Sequence, residues 1–438
     1  MRKKGVPNRF TGASGIKAVD PEIQHLETSL TDLPSHITIQ ILLRLPLKSI
    51  LKCKCVCRSL KSLISNPEFT HMHFKEAKPG VMIRSNDSRT LHLLDQLDMF
   101  EDGVDKEKVH ICGCFRIFIN HICRNPWKLD PKFKLPFRES NYSVVNSCNG
   151  FICLCDPLNN NPLAVSNPVT GEFIRLPDSH RIHDESHGTL IYVGFGFQPK
   201  TNEYKVVRIL KESPRRSTFL WYSKDLVVQV HTVGTSTWKN VVVDPRLFIR
   251  YLTFPTCVNG VLHWIVSHDW RGSILCFNFE SESFEYLPSP PSVFKNNGIT
   301  DIKRISMAEL KGFLYICDSS SKDIPVVVWI MKEYGIGESW TKIFSVDTRG
   351  EHCWPLGGLY WPVKHFEKVD AILMFHSDNY FIYYEPKRSF FKSLMVHGTL
   401  MVRRTGSAYE VFPYIPSLIS LKDVVKEDNV EILNVYSR

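Results

Sequence analysis

The sequence holds thirteen cysteines and seventeen histidines, and their spacing is where chemistry could first reside. Cys53-Lys54-Cys55-Val56-Cys57, and Cys112-Gly113-Cys114 followed by His121 and Cys123, put soft ligands close enough together to suggest zinc. A structural zinc site usually needs two Cys-x-x-Cys knuckles or Cys/His equivalents, and no Cys-x-x-Cys occurs here. Cys153 and Cys155 alternate along one face of an apolar run, as packed thiols do. The expectation is no metal and no cofactor. His183-Asp184-Glu185 and His268-Asp269 bring imidazole beside carboxylate, which could serve acid–base catalysis. No phosphate loop, dinucleotide fingerprint, Gly-x-Ser-x-Gly elbow or His-Glu-x-x-His helix accompanies them. Without a positioned nucleophile and base, no catalytic residue is assigned, and the expectation is a protein that is not an enzyme.

Composition narrows the class further. At 438 residues, 43% hydrophobic and 23% charged, the chain is built for two or three globular domains. No apolar run approaches the roughly 20 residues of a bilayer span, so no membrane partner is expected. The basic start Met1-Arg2-Lys3-Lys4 lacks a following apolar stretch and does not read as a secretory signal. An odd, scattered set of cysteines then implies reduced thiols in cytoplasm or nucleus, and makes the Asn86 and Asn141 sequons chance matches. The net charge is +9, and residues 1–75 supply +7 of it. An acidic partner should therefore meet the N-terminal region, while the near-neutral remainder argues against a nucleic-acid footprint.

Residues 1–26 have no apolar period and read as a flexible basic arm, in which Arg2-Lys3-Lys4 is an ordinary basic cluster before it is an import signal. Residues 27–75 read as a small helical domain, with its helices over 30–66. Thr31 or Asp32 can cap the first, Pro34 suits its first turn, and Leu33, Ile37, Ile41 and Leu45 recur every four residues. Ile39 and Leu43 add a second apolar row, so this helix is oily over most of its circumference. Leu47, Ile50 and Leu51 supply a second helix after Pro46. Val56, Leu60, Leu63 and Ile64 supply a third, stopped by Ser65-Asn66-Pro67. About 40 residues cannot enclose such a surface unaided, so either the downstream domain or another protein must cover it.

From about residue 80 to 425 the pattern is β. An apolar strand, a polar turn and a second strand opened by an aromatic residue recur five times, with anchors Phe173, Trp238, Phe284, Trp340 and Phe390 about 54 residues apart on average. Upstream of several anchors a glycine leads an apolar strand, as in Gly150-Phe151, Gly260-Val261 and Gly312-Phe313. A period near 50 with four strands per unit is that of a kelch-like β-propeller blade. A sixth blade can combine residues 81–137 with the strand near 409–421. Residues 426–438 are left as a tail. The rival architecture is a pair of β-sandwiches.

Leu33-Pro34-Ser35-His36-Ile37, then Ile41 through Leu51, then Cys53 through Ile64 and Asn66-Pro67-Glu68-Phe69, resemble an F-box. The phrases Asn149-Gly150-Phe151, Asn167-Pro168-Val169-Thr170-Gly171-Glu172, Gly194-Phe195-Gly196-Phe197, Asn259 through Trp264 and Tyr414 through Leu421 are similar to those of the plant F-box-associated β-propeller. Leu60 stands where the family usually has Trp, and Ile37 replaces the commoner Leu. The expected fold is α+β: a small three-helix F-box followed by an all-β propeller of six blades. The resemblance implies a substrate receptor whose F-box docks a Skp-type adaptor, and through it a cullin scaffold, while the propeller holds an unknown protein target for ubiquitination. By position Leu33, Pro34, Ile37, Ile41, Leu42, Leu45, Pro46, Leu47, Ile50, Leu51, Val56, Cys57 and Arg58 match the adaptor-binding motif, and some of them must instead hold the helices together. Trp221, Trp270, Arg271, Trp354 and Trp361 lie off the blade anchors and are the candidates for target binding, against packing between blades. Two other functions compete: an adaptor-binding assembly or decoy protein without ligase output, and a propeller hydrolase with an unrelated helical cap.

Overall fold

The computed structural model describes residues 33–85, 89–94, 132–136, 142–177, 189–212, 226–244, 251–253, 255–268, 271–291, 302–320, 326–346, 358–388, 390–395 and 409–437, with a few single positions between them. It divides into two compact units, residues 1–44 and 45–438. The first contains α1 (Ser35–Leu43). Pro34 sits one position ahead of the expected first turn, as the N-cap, and its carbonyl accepts from the Ile37 and Thr38 amides. Thr31 and Asp32 lie outside the described residues.

The second unit opens with α2 (Leu47–Val56), α3 (Arg58–Ile64) and α4 (Pro67–Glu76). Three helices were expected in all, and there are four. Asn66-Pro67 ends one helix and starts the next: Pro67 needs no amide partner at its first position, and the Asn66 side chain accepts from the Glu68 amide. Leu47, Ile50, Leu60, Ile64 and Phe69 are buried. Phe74 of α4 packs against the cluster between the first two blades, which fixes this helix to the propeller.

Six sheets form six blades. Blade 1 comprises β4 (Ser143–Cys148), β5 (Phe151–Cys155), β6 (Pro162–Asn167) and β7 (Glu172–Arg175). Blade 2 comprises β8 (Thr189–Gln198), β9 (Glu203–Glu212), β10 (Leu226–Thr232) and β11 (Lys239–Val241). Blade 3 holds β14 (Val261–His268), β15 (Arg271–Asn278) and β16 (Ser283–Leu287). Its inner strand is split into β12 (Tyr251–Leu252) and β13 (Thr256–Val258), and Pro255, which has no amide to offer the ladder, lies in the gap. Blade 4 is β17 (Ile305–Leu310), β18 (Phe313–Asp318), β19 (Val326–Met331) and β20 (Trp340–Val346). Blade 5 is β21 (Tyr360–Phe366), β22 (Ala371–His376), β23 (Tyr380–Glu385) and β24 (Phe390–Met395). Blade 6 joins the two ends of the domain. Its inner strand β25 (Tyr409–Tyr414) pairs antiparallel with β1 (Gly80–Ser85), and β2 (Thr90–Leu94) and β3 (Lys132–Lys134) complete the sheet. The sixth blade thus has the composition read from the sequence. A last strand, β26 (Ile432–Asn434), extends blade 1 to five strands by pairing with β7.

All five recurring hairpins are the two outer strands of successive blades, β6–β7 through β23–β24. The tryptophan anchors have a specific task. Trp238 Nε1 donates to the Pro177 carbonyl at 3.0 Å, and Trp340 Nε1 donates to the Pro288 carbonyl at 2.8 Å. Each proline follows the outer strand of the preceding blade, so each indole latches two blades together.

Candidate functional site

The strand directions sort every connection onto one of two rims. Turns between inner and second strands, and between third and outer strands, lie on one rim. Links between second and third strands, and between blades, lie on the other. Gly80 pairs with Tyr414 at the first rim, so α4, which precedes β1, joins the propeller there. Lys54 on α2 is desolvated, which lowers its pKa, and the Glu172 carboxylate at the β6–β7 turn opposes that shift. The rim opposite is the one remote from α4.

Within residues 33–44, Leu33, Ile37 and Ile41 are 37%, 39% and 36% exposed, and Pro34 is exposed as well, whereas Leu42 is buried. In the second unit Pro46 and Arg58 are exposed, Val56 is 73% exposed, Leu51 and Cys57 are half-buried, and Leu47 and Ile50 are buried. Leu45 is half-buried. Leu42, Leu47 and Ile50 therefore pack inward, while the other motif positions keep surface. The helices α1 to α3 contain no acidic residue, and Lys52, Arg58 and Lys61 are exposed. The cysteines here have ordinary helix roles: Cys55 donates to the Leu51 carbonyl, and Cys57 Sγ accepts from the Leu60 amide. No metal-binding group of three or more ligands occurs among the described residues. Cys112, Cys114, His121, Cys123 and the His183-Asp184-Glu185 run lie outside them.

The inner strands enclose a channel of about 1420 Å³. Small polar side chains stitch neighbouring blades around it. Ser147 donates to the Pro413 carbonyl, Asn146 exchanges two bonds with Phe195, Thr256 donates to Met307, and Ser306 donates to Tyr360. Burial pushes the Glu309 carboxyl up, although the Gly312 amide donates to it. Cys148 and Cys257 share a hydrogen bond that, together with burial, holds the Cys148 thiol well above its ordinary value. Trp361 lines the channel at its β21 wall and packs against Phe375, with ring centroids 6.1 Å apart. Of the other target candidates, Trp221, Trp270 and Trp354 lie outside the described residues, and only the backbone of Arg271 is described. Their flanking strand ends, Glu212 and Leu226, His268 and Arg271, and Val346 and Tyr360, all open on the rim remote from α4.

That rim carries a residue the sequence reading missed. Leu158 is 93% exposed on the β5–β6 turn. Hydrogen bonds shape the turn: Asp156 Oδ1 accepts from the Leu158 amide, the Asp156 carbonyl accepts from the Asn160 amide, Asn159 Oδ1 accepts from the Asn161 amide, and Asn160 Nδ2 donates to the Ile191 carbonyl. The Asp-Pro and Asn-Asn-Asn cluster was the available signal.

Comparison with known proteins agrees with this architecture. The F-box domain profile matches residues 30–72, and the F-box associated beta propeller domain profile matches residues 113–415. The chain belongs to the F-box proteins with an F-box-associated propeller. Its relatives include the Arabidopsis thaliana F-box protein At3g07870, 28% identical over 84% of this chain and 88% of that one. F-box protein CPR1 of the same plant is 27% identical over 72% of this chain and 73% of its own. The F-box/kelch-repeat protein At3g23880 is 25% identical over 74% and 82%. F-box and propeller together give this plant F-box protein the organisation of a substrate receptor. No helix among the described residues is long and apolar enough to cross a membrane.

Proposed function

We propose that this F-box protein docks a Skp-type adaptor through its F-box and, through a cullin scaffold, presents a protein held by the propeller for ubiquitination. The observation that supports this most is the exposure of Leu33, Pro34, Ile37 and Ile41, large apolar side chains that the chain leaves uncovered at the positions of the adaptor motif. Each large apolar side chain fully buried is worth roughly 1.5–3 kcal/mol of transfer free energy, so a handful of them, partly exposed as they are, can sustain a complex against association costs. The basic, acid-free helices favour an acidic adaptor. The chain itself performs no bond chemistry; it raises the effective concentration of a target lysine near a charged ubiquitin carrier. The target grips the rim remote from α4, where Leu158 is displayed.

Immobilised full-length chain should retain a Skp-type adaptor, and a Leu33→Ala, Pro34→Ala variant should lose at least nine-tenths of it with an unchanged melting temperature. Equal retention by the variant sinks the interface. Adaptor capture without cullin-dependent ubiquitination of any bound protein sinks the ligase role and leaves the assembly or decoy reading.

A further inference from the structure

Two thiols from non-adjacent blades meet at the channel wall of blade 2. Cys148 ends β4 in blade 1, and Cys257 lies on β13 in blade 3. The inner strand between them, β8, shapes the meeting from both sides. Backbone groups of alternate residues in a strand point the same way, so the amides of Phe195 and Phe197 leave β8 on one side. Asn146 takes the first position, bonding both the amide and the carbonyl of Phe195. Two residues further along both strands Cys148 stands beside Phe197, whose amide donates to both sulfurs. On the other side Gly196 leaves room: a Cβ there would lie 2.6 Å from Cys257 Sγ. Cys148 thereby donates its S–H to Cys257 across the strand. Both residues are half-buried and line the channel of about 1420 Å³, which opens them to small solutes. The two thiols are chemically unequal. The hydrogen bond from Cys148 draws the Cys257 thiol below its ordinary value; the Phe197 and Gly260 amides act in the same direction, and burial and the Glu309 carboxylate act against it. Burial instead pushes the thiols of Cys153, Cys155, Cys276 and Cys317 up.

A thiolate that small molecules can reach, with a second thiol in contact, is the arrangement of a redox-sensing pair. We propose that Cys148 and Cys257 are an oxidation site, which hydroperoxides convert to a disulfide joining blade 1 to blade 3 over the edge of blade 2. The Cys257 thiolate attacks one peroxide oxygen. The S–O bond forms as the O–O bond breaks, and the departing oxygen takes up the proton Cys257 gave up, leaving as water or an alcohol. This removes the thiolate that held Cys148 protonated. Cys148 then attacks the sulfenic sulfur; the S–S bond forms, the S–O bond breaks, and the hydroxyl leaves as water with the Cys148 proton. Two electrons pass from the thiols to the peroxide. Two equivalents of a small thiol reverse the change by exchange and depart as their own disulfide. A disulfide of this kind is transient in a reducing compartment, so it is a signal and not a standing staple. Adaptor and target play no part in it.

The test treats reduced full-length chain with hydrogen peroxide, blocks the remaining thiols with iodoacetamide and maps the peptides by mass spectrometry without reductant. A linked peptide carrying Cys148 and Cys257, lighter by two hydrogens than its parts, should form at least about fivefold faster in the folded chain than in urea, and dithiothreitol should dissolve it. Dimedone, which traps sulfenic acid, reads the order of events. In Cys148→Ser the resolving thiol is gone, so dimedone capture at Cys257 should rise at least about fivefold over wild type. In Cys257→Ser no capture should appear at Cys148. The wild-type comparison needs no variant, so a variant that fails to fold leaves the proposal open to refutation. No linked peptide in the folded chain, a link that forms as fast in urea, or capture at Cys257 that Cys148→Ser does not raise overturns the proposal. Capture at Cys148 in Cys257→Ser overturns the assignment of Cys257 as the attacking sulfur.

Discussion

Asn167 commits its whole side chain to two segments 250 residues apart. Nδ2 donates to the Ser417 and Ile419 carbonyls at 3.0 and 2.8 Å, while Oδ1 accepts from the Val169 amide. Glu172, at the far end of the same turn, accepts from Ser420 Oγ and the Leu421 amide. The phrase Asn-Pro-Val-Thr-Gly-Glu is therefore a clasp for the C-terminal strap. Asn167→Ala leaves three buried backbone groups unsatisfied and should cost about 3 kcal/mol in urea unfolding. Hydrogen exchange at residues 417–421 should accelerate in the folded state; unchanged exchange there would refute the clasp. His263 sets a pH dependence. It is fully buried, its Nδ1–H donates to the Thr256 carbonyl, and Nε2 accepts from Tyr334 at 2.8 Å. Burial holds its pKa at about 4, below the ordinary 6.5. Between those values the unfolded chain takes up a proton that the folded chain refuses, so stability falls as pH drops through this window, by roughly 3 kcal/mol at the limit. His73, His231 and His365 are shifted in the same direction. His263→Gln should shrink the loss of unfolding free energy between pH 7 and pH 4.5 by about 2 kcal/mol relative to wild type; an unchanged loss would show that His263 does not titrate in this way.

Among the elements, the two-residue turns explain why glycine-led strands could be read directly. Asn149-Gly150, Asn259-Gly260 and Lys311-Gly312 each join an inner strand to its neighbour with both residues at positive φ, the twist-matched hairpin turn. The same backbone carries different loads. An added Cβ at Gly150 would lie 2.2 Å from Ser417 Cβ, whereas at Gly312 it would meet nothing within 4 Å. Gly312→Ala should therefore cost only the conformational penalty of about 1 kcal/mol, and Gly150→Ala at least about 2 kcal/mol more. Equal losses of melting temperature would refute the distinction. The outer hairpins were legible for a similar reason: they pair residues a few positions apart, so strand, turn and aromatic anchor fall in one stretch of sequence. What stayed hidden depends on distant partners. The repeat revealed Trp238 and Trp340 but not that their indoles reach Pro177 and Pro288. The apolar period of the first helix did not show that Leu42 packs inward while Ile37 and Ile41 keep surface.

For the whole molecule the decisive contact is the one that closes the ring. β25 and β1 come from opposite ends of the propeller sequence and share a register of six pairs, Gly80–Ser85 against Tyr409–Tyr414. Arg84 reinforces it: Nε donates to Glu410 Oε2 at 2.7 Å and Nη2 to the Tyr142 carbonyl at 2.6 Å, while Glu410 Oε1 accepts from the Val144 amide. Blade 6 is thereby tied to blade 1 as well as to itself. Removing one member of such a buried pair should cost roughly 3–5 kcal/mol, so Arg84→Met should be among the most damaging single changes in the domain. Truncation separates closure from the strap beyond it. A chain ending at residue 425 loses β26 but keeps β25, and should still unfold in one cooperative transition at a somewhat lower temperature. A chain ending at residue 408 loses the inner strand of blade 6, leaving β1 without its inner partner and the β4 wall without Glu410. An open propeller exposes strand edges that invite association with other chains. That shorter chain should elute as aggregate or melt without cooperativity. Monomeric, cooperative behaviour at the wild-type melting temperature would mean that five blades and a half-built sixth suffice, and that the long-range β1–β25 pairing is not what holds the propeller shut.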